Sequence, residues 1–193
     1  HMKRLAEVRA LMKRKKLDAL IVPSSDPHLG EYVPDHWRVI RWLTGFTGSA
    51  GTVVITRTFA GLWTDSRYFI QAEEQLAGSG FELVKLKIPH TPEHIDWLRD
   101  KSRKDWKIGV DGRLISVLQM RLLKAAMASA STRVDFRSDL ITPLWKDRPA
   151  LPSAEAYELD EKYAGLPRRE KLAQVRQIMS GLKATYQLLT SVD

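Results

Sequence analysis

Short apolar runs alternate along this chain with stretches whose apolar residues recur three and four positions apart, and this alternation constrains the fold more than any other feature. Residues 18–22, 52–56, 59–63, 81–86, 107–110 and 133–136 have the length and apolar content of strands. Between them, residues 3–16, 36–43, 66–76 and 115–128 carry helical spacing. A further helix opens at Thr91-Pro92, with Thr91 as N-cap, and runs through Ile95 and Leu98. Leu5, Val8, Leu11 and Met12 share one face of the first helix. Phe69, Ala72 and Leu76 do so over 66–76, where Gly78 supplies the stop, and Leu118, Leu122 and Ala125 are expected inward over 115–128. The runs 52–56 and 59–63 lie so close that they predict a hairpin, hence an antiparallel pair. The expected fold is α/β, a mixed β-sheet flanked by helices.

The opening of the chain recurs near its end. Leu5-Ala6-Glu7-Val8-Arg9-Ala10-Leu11-Met12 is echoed by Leu172-Ala173-Gln174-Val175-Arg176-Gln177-Ile178-Met179, and each leads to a short apolar run, at residues 19–22 and 186–189. A repeated helix-then-strand opening is the signature of a repeated domain. Pro149, Pro152 and Pro167 punctuate a stretch rich in Asp and Glu after Trp145, as an interdomain linker would. The expected organisation is a first domain over 1–145, a linker over 146–167, and the first helix of a second, similar and truncated domain over 168–193. His1-Met2 reads as a cloning remnant before a start at Met2.

Composition removes several classes of function. There are no cysteines, so disulfides, thiolate chemistry and Cys-type zinc sites are excluded, in keeping with a cytoplasmic protein. No apolar run approaches the roughly 20 residues of a membrane span, and no signal-peptide pattern follows Lys3-Arg4. The 31 basic residues outnumber the 23 acidic ones, for a net charge of +8. Lys13-Arg14-Lys15-Lys16, however, closes a helix, where cations complement the dipole, and the cluster around Arg99 to Lys107 is broken by Asp100 and Asp105. Neither interleaves aromatic residues as a nucleic-acid platform does, so neither nucleic acid nor membrane is expected as a partner.

Two segments carry candidate chemistry. Gly45-Phe46-Thr47-Gly48-Ser49-Ala50-Gly51-Thr52 has three glycines, but it lacks the Lys-Ser/Thr ending of a phosphate cradle and runs into a strand rather than into a helix. It reads as a shaped turn or a loop facing another domain. In Trp63-Thr64-Asp65-Ser66-Arg67-Tyr68 a strand gives way to a helix, which Asp65 or Ser66 can cap. Arg67 falls in the first turn, where the helix dipole disfavours a cation. Its partner is either Asp65 or a carboxylate from another domain or a ligand. His28 and His36 lie near Asp26 and Asp35, while Pro92 keeps His90 off the helix that carries His94 and spoils their one-face geometry, so each set reads as surface or capping chemistry rather than as metal ligands.

Pro23-Ser24-Ser25-Asp26-Pro27-His28, Glu31-Tyr32, the glycine loop and Leu62-Trp63-Thr64-Asp65-Ser66-Arg67-Tyr68-Phe69 together resemble the Xaa-Pro aminopeptidases (aminopeptidase P), most densely over residues 20–76. They are most similar to the three-domain cytosolic type, in which two creatinase-type domains precede a metallopeptidase domain. The resemblance implies a creatinase/prolidase N-terminal fold and a parent enzyme that releases the residue preceding proline. It also implies two divalent metal ions, commonly manganese, bound in a catalytic domain whose ligand motifs this sequence lacks, so this segment holds no cofactor and is expected to be inactive alone. By the same match Arg67 is the substrate-binding candidate. Asp65 and Tyr68 support it, and Gly45, Gly48 and Gly51 shape the neighbouring loop. The implied partners are short proline-containing peptides and the enzyme's own catalytic domain, and a homo-oligomer is compatible. Prolidase and creatinase share this N-terminal fold, and a stand-alone basic binding module is the rival reading.

Overall fold

The computed structural model describes residues 1–189, and the six apolar runs form one sheet. The strands are β1 (Ala19–Pro23), β2 (Thr52–Thr56), β3 (Ala60–Thr64), β4 (Glu82–Lys85), β5 (Lys107–Val110) and β6 (Arg133–Asp135), in the order β4-β3-β2-β1-β5-β6. β2 runs antiparallel to both β1 and β3, which confirms the hairpin, and the remaining pairings are parallel. The sheet is therefore mixed, with β2 the single reversed strand.

Helices cover both faces, which is why the central strands read as unbroken apolar runs rather than as alternating ones. Along β1, Leu20 and Val22 point to one face and Ala19 and Ile21 to the other. The first face packs on α1 (Met2–Arg14), α2 (Val39–Thr44) and α3 (Phe69–Leu76), with Val8, Leu43, Val53, Leu62 and Ala72 at its centre. The second packs on α4 (Glu93–Lys101) and α5 (Val117–Ser129) through Trp63, Leu98, Ile108, Leu123 and Met127. Leu5, Val8, Leu11 and Met12 are all buried, as their shared stripe requires.

Three local expectations need correction. In α5 the buried residues are Leu123 and Met127, while Leu118 and Leu122 are 66% and 47% exposed. Two stripes at helical spacing coexist there, and periodicity does not choose between them. The orientation goes with the capping box, in which the Gln119 amide donates to the Ser116 hydroxyl at 3.1 Å and the Ser116 amide to Gln119 Oε1 at 2.8 Å. Thr91 does not cap α4. Its hydroxyl turns back to the carbonyl of Ile88, and Glu93 accepts the amides of Lys87 and Ile88 instead. The apolar run at 186–189 forms no strand, and its continuation at 190–193 lies outside the described residues.

The chain divides into two units, His1–Leu151 and Pro152–Asp193. The second contains α6 (Glu161–Ala164) and α7 (Arg168–Gly181). In α7, Leu172, Val175 and Ile178, the counterparts of the buried Leu5, Val8 and Leu11, are exposed.

Candidate functional site

Five parallel strands end at the same edge of the sheet, the position where open α/β sheets gather functional side chains. Asp65 follows β3 directly and is 3% exposed. Its carboxylate caps a short 3-10 turn, Ser66–Tyr68, by accepting the Arg67 amide at 3.1 Å. The same carboxylate accepts Arg67 Nε at 2.9 Å and Nη2 at 2.8 Å, a bidentate fork. Of the two partners that the sequence allows Arg67, the internal one is present. Pairing with Arg67 holds the Asp65 carboxyl below the usual carboxylate range and raises the guanidinium above its ordinary value.

The fork leaves part of the guanidinium free. Arg67 Nη1 has no partner among the described residues, and the side chain is 57% exposed. Arg67 also lies over the Tyr68 ring, 5.3 Å from its centroid. Asp65 thus fixes the orientation of a permanent cation whose remaining donors face outward.

The glycine loop positions Tyr68. Gly45 ends α2 with φ +87°, a left-handed cap that a residue with a Cβ adopts only under strain. A Cβ on Gly48 would lie 2.2 Å from Phe46 Cζ and 2.8 Å from Tyr68 Cδ1, so the loop can approach these rings only as glycine. Phe46 and Tyr68 meet edge to face at 5.8 Å, and the Tyr68 hydroxyl is 2.7 Å from Ser49 Oγ. The Gly51 carbonyl accepts the Ser24 amide at 2.9 Å and ties the loop to the end of β1. All the sequence-derived candidates, Arg67, Asp65, Tyr68, Gly45, Gly48 and Gly51, therefore belong to one region. A hollow of about 170 Å³ lies beside the loop, lined in part by Glu31, Tyr32, Trp37 and Ser49. Arg67 is outside it, and a larger groove is elsewhere in the first unit.

Sequence reading missed a second copy of the Arg67 arrangement. Asp111 follows β5, caps the 3-10 turn Gly112–Leu114 through the Arg113 amide, and pairs with the Arg113 guanidinium at 2.6 Å. The shared pattern of Asp, one residue, then Arg at a strand end was the available signal. Here Asp139 also binds Arg113 at 2.6 Å, and the guanidinium packs 5.3 Å from the centre of the Trp37 ring. Arg148 lies over Trp37 at 4.7 Å, so this copy gains a second carboxylate and aromatic neighbours from elsewhere in the chain, although Arg113 at 52% is nearly as exposed as Arg67.

Asp26, buried after β1, accepts the amides of His28 and Gly30 and serves its own turn. Burial lowers His94 to about 4, so it is neutral at pH 7. Among the described residues no three His, Cys, Asp or Glu side chains are grouped to hold a metal ion. No helix among them is long and apolar enough to cross a membrane.

Comparison with known proteins gives a consistent picture. The Creatinase/Prolidase N-terminal domain model matches residues 4–141. A probable Xaa-Pro aminopeptidase P from Coprinopsis cinerea is 37% identical over 99% of the chain, and Xaa-Pro aminopeptidase 1 from Dictyostelium discoideum is 33% identical over 99%. The chain spans only 31–32% of the length of these curated relatives. The solved X-prolyl aminopeptidase of Caenorhabditis elegans, described as a cytosolic enzyme with a di-nuclear active site, superposes over 95% of this chain and 32% of its own. The TM-score is 0.80 at 30% identity.

Proposed function

Because the chain belongs to the Creatinase/Prolidase N-terminal domain family, we propose that it is the non-catalytic N-terminal part of a cytoplasmic Xaa-Pro aminopeptidase. The observation that carries this reading is the likeness to Xaa-Pro aminopeptidases across almost the whole chain, at 35–37% identity. In the parent enzyme two divalent metal ions, manganese by the family resemblance, supply the hydrolytic chemistry from a domain outside this sequence. Residues 1–145 form the first domain, 146–167 a linker, and 168–193 the opening of a second domain of the same kind. The repeat of the α1 sequence in α7 supports that division.

Within this scheme Arg67 contacts the peptide. Asp65 takes up one side of the guanidinium, and the outward N–H groups donate to a carbonyl or carboxylate of a short substrate. Tyr68 and the loop around Gly45, Gly48 and Gly51 hold the turn in place and help to wall the cleft.

The test uses the full-length enzyme with a Xaa-Pro-Xaa tripeptide and manganese. Losing one charge-assisted contact worth about 1.5–3 kcal/mol predicts that Arg67→Ala lowers kcat/KM roughly 10–150-fold without unfolding the domain. Unchanged kinetics would remove Arg67 from the site. The 193-residue chain assayed alone should not turn over the peptide, and turnover would overturn the non-catalytic assignment.

A further inference from the structure

A broad groove of the first unit lies at the edge of the sheet opposite Arg67. Asp18 precedes β1, Lys107 opens β5, Arg133 opens β6, and Arg57 follows the reversed strand β2, so all four belong to the edge where the parallel strands begin. They line a groove of about 1270 Å³ between the end of α1 and β6.

Its charge is one-sided. Eight cationic side chains line it against three carboxylates. Two of those carboxylates are already paired, Asp18 with Arg57 at 2.7 Å and Asp135 with Lys107 at 2.8 Å. Lys13, Lys15, Lys16, Arg133 and Arg137 have no carboxylate partner among the described residues. Helix-dipole complementarity accounts for Lys13 in the last turn of α1, but not for Arg133 and Arg137 on the facing segment.

The lining is not purely ionic. Val134 and Phe136, each half-buried, contribute apolar surface, while Met12 and Leu17 beside them are buried. The segment 133–137 forms one side of the groove.

From this combination we propose that the groove is a docking site for an extended acidic peptide segment whose carboxylates alternate with apolar side chains. Alternation puts every second side chain on the same side of a strand, so one row meets the apolar lining while the other reaches the basic rim. Nucleic acid fits less well, because Phe136 is the one aromatic residue lining the groove and is already under the Lys124 ammonium at 5.2 Å. The site does not depend on the peptidase assignment, since it uses none of the residues around Arg67.

Fluorescence anisotropy on the 193-residue chain tests this with a labelled eight-residue peptide of alternating Glu and Leu. Its counterpart of alternating Glu and Ser, an oligothymidylate and inorganic phosphate are the competitors. At about 50 mM salt the Glu-Leu peptide should bind at least roughly tenfold more tightly than the Glu-Ser peptide, and binding should weaken as salt screens the rim. Lys13→Glu with Arg133→Glu should cost roughly tenfold or more, and Lys101→Glu with Arg121→Glu, an equal charge change away from the groove, less than about twofold. Far-UV circular dichroism establishes that both variants fold, and the comparison of the two peptides needs no variant. The proposal is overturned by absence of binding, by equal affinity for the two peptides, by an equal loss in both variants, by tighter binding of the oligothymidylate, or by displacement with phosphate alone.

Discussion

The two ends of one sheet handle charge in opposite ways. Where the parallel strands finish, Asp65 and Asp111 are each locked to an arginine two residues ahead, and each carboxylate also caps the turn that carries its arginine. Where they begin, six of the eight cations around a groove have no carboxylate partner among the described residues, and one of those six, Arg9, bonds a backbone carbonyl. At the first edge charge is a structural element, bound into backbone turns and aromatic stacking. At the second it is surplus to the fold. Charge that the fold does not use is available to a partner, whereas charge that it does use can serve a ligand only with the donors left over, as in Arg67.

The contrast is open to attack by mutation. Gly48→Val should do the most damage, about 3 kcal/mol in a urea titration, because the new side chain enters space held by Phe46 and Tyr68. Little change would mean that the loop is not tightly packed and the finishing edge is less rigid than described. Asp65→Ala should cost about 1–2 kcal/mol, most of it the lost cap, since its arginine is largely solvated. The pH dependence sharpens that test. The folded carboxyl of Asp65 titrates below its unfolded value of roughly 4, so its contribution is complete above that value and is lost as the pH falls through the lower, folded one. Asp65→Asn should flatten that part of the acid limb, and an unchanged limb would show that the pair contributes nothing to stability. The smallest effect belongs to the starting edge. Lys13→Ala with Arg133→Ala should leave stability within about 0.5 kcal/mol, and a larger loss would show that the fold does depend on them.

The strands were the most legible part of the sequence. All six runs pair, because short strand-like segments between turn signals have few alternatives. Helix orientation was less legible. The α5 stripe built on Leu118 and Leu122 fits helical spacing as well as the one built on Leu123 and Met127, and only the packed structure chooses. At the candidate site, the misplaced charge of Arg67 in a first turn was readable, and its bond to Asp65 was one of two readings. The copy at Asp111 and Arg113 carries the same local signal, and only its tie to Asp139 depends on a contact distant in the chain. The groove was missed because its lining comes from distant segments. Lys13 and Arg133 are 120 positions apart in sequence, and the basic run at 13–16 taken alone is an ordinary helix end.

The pairing order of β1 also bears on how the chain is made. β1 joins β2 within the first sixty residues, but its other neighbour, β5, is not present until Val110 has been added. At a synthesis rate of 5–20 residues per second, one side of this apolar strand waits about 3–10 s for its partner. During that interval the nascent chain carries an open sheet edge at the centre of its future core, and anything that slows elongation between the hairpin and β5 lengthens the period in which it can pair with the wrong molecule.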